Sequence, residues 1–473
     1  MKENEEIEEH DDFRDHIATV TEKGDRVWVY PKKPKGKFHR LRVIVAITLL
    51  AILFLVPLIK VDGHPFMLLD ILGRKFILFG MAFGPHDFHL FVLAIIGGII
   101  SIFLFTVVYG RIFCGWLCPQ TIFMEMMFRK VEYWIEGDSN KQRALNKKPW
   151  AGDKIFKKTL KHIIFLIMSV AIGNALLAWV IGVDELVTLV SRPIPEVMGN
   201  FIAMVVFSGV IYIFYAYLRE QVCTLICPYG RLQGVMLEPS SIVVHYDHVR
   251  GEPKGKIRKN VEQNLGDCID CNLCVDVCPT GIDIRHGTQL ECVNCTACID
   301  ACDEVMTKVK RPTGLIRYAS KNEIETGVRK IFTPKAISYT VFLSILFVLI
   351  TFLLANRSDY ELSIVRTAGL MAQEQPGEKI SNLYDVKIIN KTFNTSPVSL
   401  ELHNMKGEIK LLSGDLIMQP QDVSEGKFFV IIDKDDIKKM STKIEIAVKS
   451  EGEEIDIIQT SFLGKIKGKK GLK

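Results

Sequence analysis

No CxxCH pair occurs in the 473 residues, so covalent c-type haem has no attachment point. No GxGxxG or P-loop pattern follows a strand-like run, so no nucleotide cofactor is indicated. The net charge is only +5, which gives no argument for binding nucleic acid. No cysteine lies beyond Cys302, so no disulfide can staple the tail. No small-residue cleavage site follows the first apolar run. About forty residues precede that run, opening with an acidic stretch at 3–12, so no cleaved signal peptide is expected. Charge is scarce in five stretches, although 24% of all residues are charged. With a mean hydropathy of +0.21, that segregation excludes a wholly disordered chain and a purely soluble enzyme.

Those five stretches reach about the 20 residues a bilayer requires. They are residues 41–59, 88–109, 160–181, 197–218 and 336–355. A sixth run, 76–84, is too short and is broken by glycine; it is expected as a re-entrant or interfacial piece. Lys and Arg set the orientation. Residues 21–42 hold eight, 60–87 three, 111–159 ten, and 182–197 only Arg192. The N-terminus and the loops 111–159 and 219–335 are therefore expected in the cytoplasm, with the tail on the periplasmic side. YDVKII, VSLEL, EIKLL, KFFVII, KIEIAV and EIDIIQTSF in that tail are short, alternating, β-branched runs separated by turn residues. Six or seven such strands suggest an immunoglobulin-like β-sandwich, read as a docking or stabilising module.

The expected class is a multidomain membrane protein. A cytoplasmic segment 1–40 leads to a membrane domain 41–240 with four transmembrane helices. A cytoplasmic ferredoxin-like α+β domain at 241–335, a fifth helix at 336–355 and the periplasmic sandwich at 356–473 follow. A five-helix transmembrane bundle is the anchor.

All twelve cysteines fall on the expected cytoplasmic side, where reduction favours metal ligation over disulfides. Eight repeat one pattern. Cys268, Cys271, Cys274 and Cys278 are followed by Pro279; Cys292, Cys295, Cys298 and Cys302 are followed by Asp303. This is the spacing of a bacterial two-cluster ferredoxin, in which the fourth thiolate of each cube comes from the other repeat. One [4Fe–4S] cluster is assigned to Cys268, Cys271, Cys274 and Cys302. The other is assigned to Cys292, Cys295, Cys298 and Cys278. Zinc sites usually pair two CxxC units across a longer loop, which these runs do not resemble. Asp303 stands where the first repeat has proline, and an acid there can wet the nearby cluster or lower its potential.

The other four cysteines form Cys114-Gly-Trp-Leu-Cys118-Pro119 and Cys223-Thr-Leu-Ile-Cys227-Pro228. Each pair follows an apolar span, after Tyr109-Gly-Arg111 and Tyr217-Leu-Arg219 respectively, so span plus CxxxCP reads as an internal repeat. Cysteines at i and i+4 are expected on one helix face, one turn apart. If the spans pack together, four soft ligands converge at the membrane surface. They could hold Cu(I) or a third iron–sulfur cluster, or switch between dithiol and disulfide. The bland alternative is four small buried hydrophobes. Met124, Met126, Met127 and Met236 read as core filler, and His89 and His162 as satisfied interfacial histidines.

With these motifs in view, the sequence resembles the CcoG/FixG/RdxA family of cytochrome c oxidase accessory proteins. The likeness runs from about Arg26 onward. It is carried by RVWVYPKKPKGKFHRLR, YGRIFCGWLCPQTIFMEMMFRKVEYWIEGD, REQVCTLICPYGRLQGVMLEPSSIVVHYDHVRGEPKGK and DCIDCNLCVDVCPTGIDIRHGTQLECVNCTACIDACDEVM. The resemblance implies that Asp303 belongs to the family pattern. It implies a multi-pass bacterial inner-membrane protein that reduces Cu(II) to Cu(I) for assembly of cbb3-type oxidase. Its partners would be membrane lipid, the oxidase assembly machinery, a copper transporter or chaperone, and a cytoplasmic electron donor, with no nucleic acid. Cys114, Cys118, Cys223 and Cys227 are then the expected copper site, with His245, His248 or His286 as the fallback. A NapH-like electron conduit to quinone or a partner complex, and a non-catalytic assembly scaffold, are the other readings.

Overall fold

The computed structural model describes residues 19–464, apart from 22, 24, 72, 74, 194, 257–264, 330, 331, 371, 413–415, 438 and 451. The acidic stretch 3–12 lies outside them. The chain divides into two compact units. One draws on residues up to Ile59 and on Val92–Ile350; the other combines Lys60–Phe91 with the chain from Thr351 onward.

Five helices are long and apolar enough to cross a membrane: Lys37–Leu58, Pro85–Tyr109, Gly152–Ile181, Met198–Leu218 and Pro334–Ala355. A helix satisfies its own backbone, as hydrocarbon requires. Large apolar side chains such as Ile44, Ile167 and Val348 point away from the protein. Such an apolar exterior suits lipid and not water. The third and fourth spans pack through small residues: a Cβ on Gly173 would stand 3.0 Å from Ser208 Oγ.

At one end of these helices lies a buried ion network. Both Arg219 Nη atoms donate to the Glu132 carboxylate, at 3.1 and 2.8 Å. Lys161 reaches Glu136 at 2.9 Å and Glu132 at 3.5 Å. Arg129 pairs with Glu125 at 2.6 Å, and Arg26 with Glu220 at 3.0 Å. Burial pushes the Glu132 carboxyl up, but the Arg219, Lys161 and Arg129 cations outweigh it and hold it below the usual carboxylate range.

Between the fourth and fifth spans, Val243–Tyr246 pairs antiparallel with Ile316–Ala319. Val244, Tyr246, Leu315 and Ile316 of this ribbon pack with Ile284, Ile299 and Met306 as the core of the cysteine-rich segment.

In the second unit, nine strands among the described residues form two antiparallel sheets. One orders Gly407–Leu411, Val423–Asp433, Lys379–Asn390 and Tyr360–Arg366, with Gln373–Gln375 also on Lys379–Asn390. The other orders Leu416–Met418, Ser396–Leu402, Ser441–Ser450 and Glu453–Leu463. Their inward residues, among them Ile388, Phe428, Val430, Ile446 and Phe462, make one core. This is the immunoglobulin-like sandwich, with more strands than the six or seven expected. Leu416–Met418 is too short to show alternation, and Gln373–Gln375 is polar throughout.

The run 76–84 is not a re-entrant piece. Met67–Asp70, Lys75–Leu78 and Met81–Phe83 form a three-stranded antiparallel sheet. Phe79, at φ 55°, and Gly80, at φ 77°, make the left-handed turn that the glycine permits. Buried Asp87 ties this segment to the sandwich, accepting from Arg357 Nη2 and Lys391 Nζ, both at 2.9 Å. Arg357 also donates to the Ala82 carbonyl and lies over the Phe83 ring at 4.7 Å.

Asp87→Ala would leave the half-buried Arg357 and Lys391 without their shared partner, although Lys391 keeps Glu361 at 3.3 Å, at a cost of about 2–3 kcal/mol. We expect faster amide hydrogen exchange across residues 67–83 in the variant, with the sandwich strands unchanged. Unchanged exchange at 67–83 would mean that the carboxylate does not hold the segment.

Candidate cofactor and thiol site

The two cysteine runs fold as structural repeats. Asp270 and Asn272 flank Cys271 at φ 51° and 57°; Asn294 and Thr296 flank Cys295 at φ 54° and 66°. Left-handed backbone on both sides of the middle cysteine bends each loop into a cup. Asp and Asn tolerate this conformation, whereas β-branched Thr296 is strained. A helix follows each cup, Leu273–Asp276 and Ala297–Lys308.

The cups line two cavities. Cys268, Cys271, Cys274 and Cys302 face the first, with Tyr246, Met306, Leu315 and Ile316. Cys278, Cys292, Cys295 and Cys298 face the second, with Val244, Ile282 and Ile284; Cys274 also reaches its wall. The last cysteine of each run therefore sits with the other run. Yet among the described residues no three Cys, His, Asp or Glu side chains close around one metal ion. Ligands of a single zinc stand about 2.3 Å from it. Four thiols around each apolar hollow are the donor set of a [4Fe–4S] cube. Burial pushes Cys274 and Cys292 up to about 12 and Cys295 to about 11. At Cys302 burial, then Cys274 and the Asp303 carboxylate, have the same effect, to about 12. Metal must displace protons here, so loading is favoured by rising pH.

The CxxxCP motifs depart from the expected single helix face. The first helix ends at Trp116, and Cys118 is extended at ψ 123°. Cys227 is likewise extended at ψ 110°. The cause is the following proline, which disfavours helical backbone in the residue before it. Cys118 N donates to Phe113 O at 2.9 Å and Cys227 N to Val222 O at 2.8 Å, so both motifs close through the same wide turn. Pro119 and Pro228 then open new helices.

The four thiols still form one group. Cys114 feels Cys118 and Cys227; Cys223 feels Cys118, Cys114 and Cys227. Burial pushes Cys114 and Cys223 up to about 12, while Arg111 opposes the shift at Cys114. Cys114 Sγ donates to Gln233 Oε1 at 3.2 Å.

Met124 and Met126 are buried among apolar side chains, as filler should be. His162 Nδ1 meets the Tyr212 hydroxyl at 2.8 Å, away from the thiols. His245 sits between Tyr246 O and Thr288 Oγ1, both at 3.3 Å, while His248 and His286 are exposed. Sequence reasoning did not single out Gln233 or Gly115, and treated Arg111 only as repeat context. The one available signal was glycine in the first motif where the second has Thr224.

These features define a membrane-spanning iron–sulfur electron-transfer protein with an immunoglobulin-like tail. A 4Fe–4S dicluster domain model matches residues 218–321, and a 4Fe–4S binding domain model matches 88–142. The immunoglobulin-like fold found at the C-terminus of FixG matches 350–465. Nitrogen fixation protein FixG of Rhizobium meliloti is 31% identical over 92% of both chains. Protein RdxB of Cereibacter sphaeroides is 34% identical over 77% of this chain and 79% of its own. Protein RdxA of the same organism is 34% identical over 63% and 64%. The chain belongs to the FixG/CcoG/RdxA family.

In metal-stripped protein, raised values keep Cys114 and Cys223 protonated at neutral pH. Their alkylation by iodoacetamide at pH 8 should be about a thousandfold slower than that of an ordinary thiol. It should rise about tenfold per pH unit from 7 to 9. A plateau below pH 9 would contradict the burial effect.

Proposed function

We propose that this chain reduces Cu(II) to Cu(I) at Cys114, Cys118, Cys223 and Cys227 and delivers it for assembly of cbb3-type oxidase. The observation that carries the reading is the quartet itself, four soft ligands gathered outside the two ferredoxin cavities. Thiolates hold Cu(I) better than oxygen donors do, so the site favours the reduced product. One [4Fe–4S] cluster is assigned to Cys268, Cys271, Cys274 and Cys302, the other to Cys278, Cys292, Cys295 and Cys298; the cavity linings support both. Such clusters, when bound, supply electrons singly, and cupric reduction needs one. Val244, Ile284, Leu315 and Ile316 keep water from the thiols, and Arg285 caps the first cavity through Asp270 and Asp283.

The loops that carry the cysteines face the cytoplasm in this reading, and the sandwich faces the periplasm. A cytoplasmic donor supplies electrons, and a copper transporter or chaperone meets the membrane site. The boundaries 1–40, 41–240, 241–335, 336–355 and 356–473 describe the functional segments. A second reading, a third cluster on the quartet, is favoured by the 4Fe–4S binding domain match over 88–142. A conduit to quinone, or a scaffold, would leave Cu(II) unreduced.

Anaerobically purified protein should hold about eight non-haem irons, or about twelve with a third cluster. The double variant Cys114→Ser, Cys118→Ser should keep about eight irons and lose most of its cupric reduction. Wild-type reduction per chain would remove the quartet from the copper chemistry. An impermeant protease should cut within 356–464 in spheroplasts and spare 250–320. Cleavage of 250–320 from outside would overturn the topology.

A further inference from the structure

The two CxxxCP motifs repeat each other in sequence and backbone, yet they sit differently against the ferredoxin loops. A Cβ on Gly115 would stand 2.5 Å from Val293 O and 2.8 Å from Asn294 O. Those are backbone atoms of the cup between Cys292 and Cys295, and they cannot swing aside as a side chain would. The peptide after Cys114 is therefore pressed against the loop of the second cavity. Four further hydrogen bonds fix the junction. Arg42 Nε donates to Gly115 O at 2.7 Å. Trp116 Nε1 donates to the Tyr318 hydroxyl at 3.2 Å, and that hydroxyl donates to Asn294 O at 3.2 Å. Arg111 donates to Leu290 O. The charge of Arg111 acts on both Cys114 and Cys292, one from each site. At the equivalent position the second motif carries Thr224. Among the described residues, its segment Val222–Ile226 makes no hydrogen bond to the loop 292–298.

We propose that Gly115 is a positioning residue that makes the two thiol pairs inequivalent. The first pair, Cys114 and Cys118, receives the electron from the loop 292–298. The second pair, Cys223 and Cys227, only completes the ligand set. The missing side chain allows the backbones to touch, and any Cβ must part them. This rests on the reading of the quartet as the site of copper reduction. The step balances: Cu²⁺ binding displaces the thiol protons to solvent, and the bound Cu²⁺ then takes up one electron and becomes Cu⁺. The electron originates from a low-potential one-electron reductant, dithionite in the test below.

The test uses the full-length, iron-loaded protein with Gly115→Ala, Gly115→Thr, and Thr224→Ala as the repeat-matched control. Iron content, the spectrum of the dithionite-reduced state and retention of added Cu(I) should match wild type in all three. Amide exchange across residues 292–296 should rise in both Gly115 variants, and the rate at which the reduced protein is reoxidised by Cu(II) should fall about tenfold or more. Thr224→Ala should change neither. Wild-type exchange and reoxidation in Gly115→Ala, or equal slowing in Thr224→Ala, would overturn the proposal. Should Gly115→Ala fail to load iron, Tyr318→Phe decides. It removes the hydroxyl bridge between Trp116 and Asn294 and should raise exchange at 292–296 and slow reoxidation. No change in either would overturn the proposal. If Cys114→Ser, Cys118→Ser reduces copper normally, the functional reading fails. The exchange readout then still decides whether Gly115 holds the two loops together.

Discussion

The buried pair between Glu132 and Arg219 is the interaction on which the membrane site depends. Glu132 lies on the helix that follows the first CxxxCP motif, and Arg219 stands just before the second. A bidentate pair between them binds the two halves of the repeat where their thiols must meet. Removing either partner would strand a buried charge, at about 3–5 kcal/mol. Lys161 from the third span shares the Glu132 carboxylate, and Arg129 and Arg219 share Glu220, so the network also fixes the span that packs behind the motifs. Arg219 itself has φ 51°, a strained value for a side-chain-bearing residue, and the ion pair holds it there.

From that network the rest of the first unit follows in order. The helix turns close wide before each proline and release Cys118 and Cys227 from their helices. Four thiols then form one electrostatic group instead of two separate pairs. Gly110 and Gly115 let the first motif approach Asn294 and Val293. At Gly115 the approach to backbone needs the absence of a side chain; at Gly110 the left-handed backbone, φ 56°, is the stronger reason for glycine. The second unit has its own anchor, the buried Asp87 carboxylate with its two cations.

Much of this was legible in the sequence, and the reason is locality. Thiol spacing within each ferredoxin run is a short-range property, so the placing of each run's last cysteine in the other run's cavity could be read before any fold was known. Apolar run length likewise exposed the five spans. Alternation located six strands of the sandwich, but not Tyr360–Arg366, polar Gln373–Gln375 or short Leu416–Met418. Long-range contacts were not legible. Nothing near Glu132 announces Arg219, 87 residues away. Nothing near Gly115 announces the Val293 carbonyl. The helical i, i+4 rule failed at Cys114 and Cys118 because Pro119 acts on the residue before it. The run 76–84 forms two strands of a small sheet, with Phe79 and Met81 left exposed, so of its two readings the interfacial one is kept and the re-entrant one is not.

Under the proposed function, copper is held and reduced by sulfur at the membrane thiols. Copper K-edge X-ray absorption on the reduced full-length protein, incubated anaerobically with one equivalent of Cu(II), tests it most directly. The account predicts a Cu(I) edge with sulfur-only scattering that disappears when Cys114, Cys118, Cys223 and Cys227 are all replaced by Ser. A Cu(II) edge, nitrogen and oxygen coordination, or an unchanged spectrum in the four-Ser variant would contradict it.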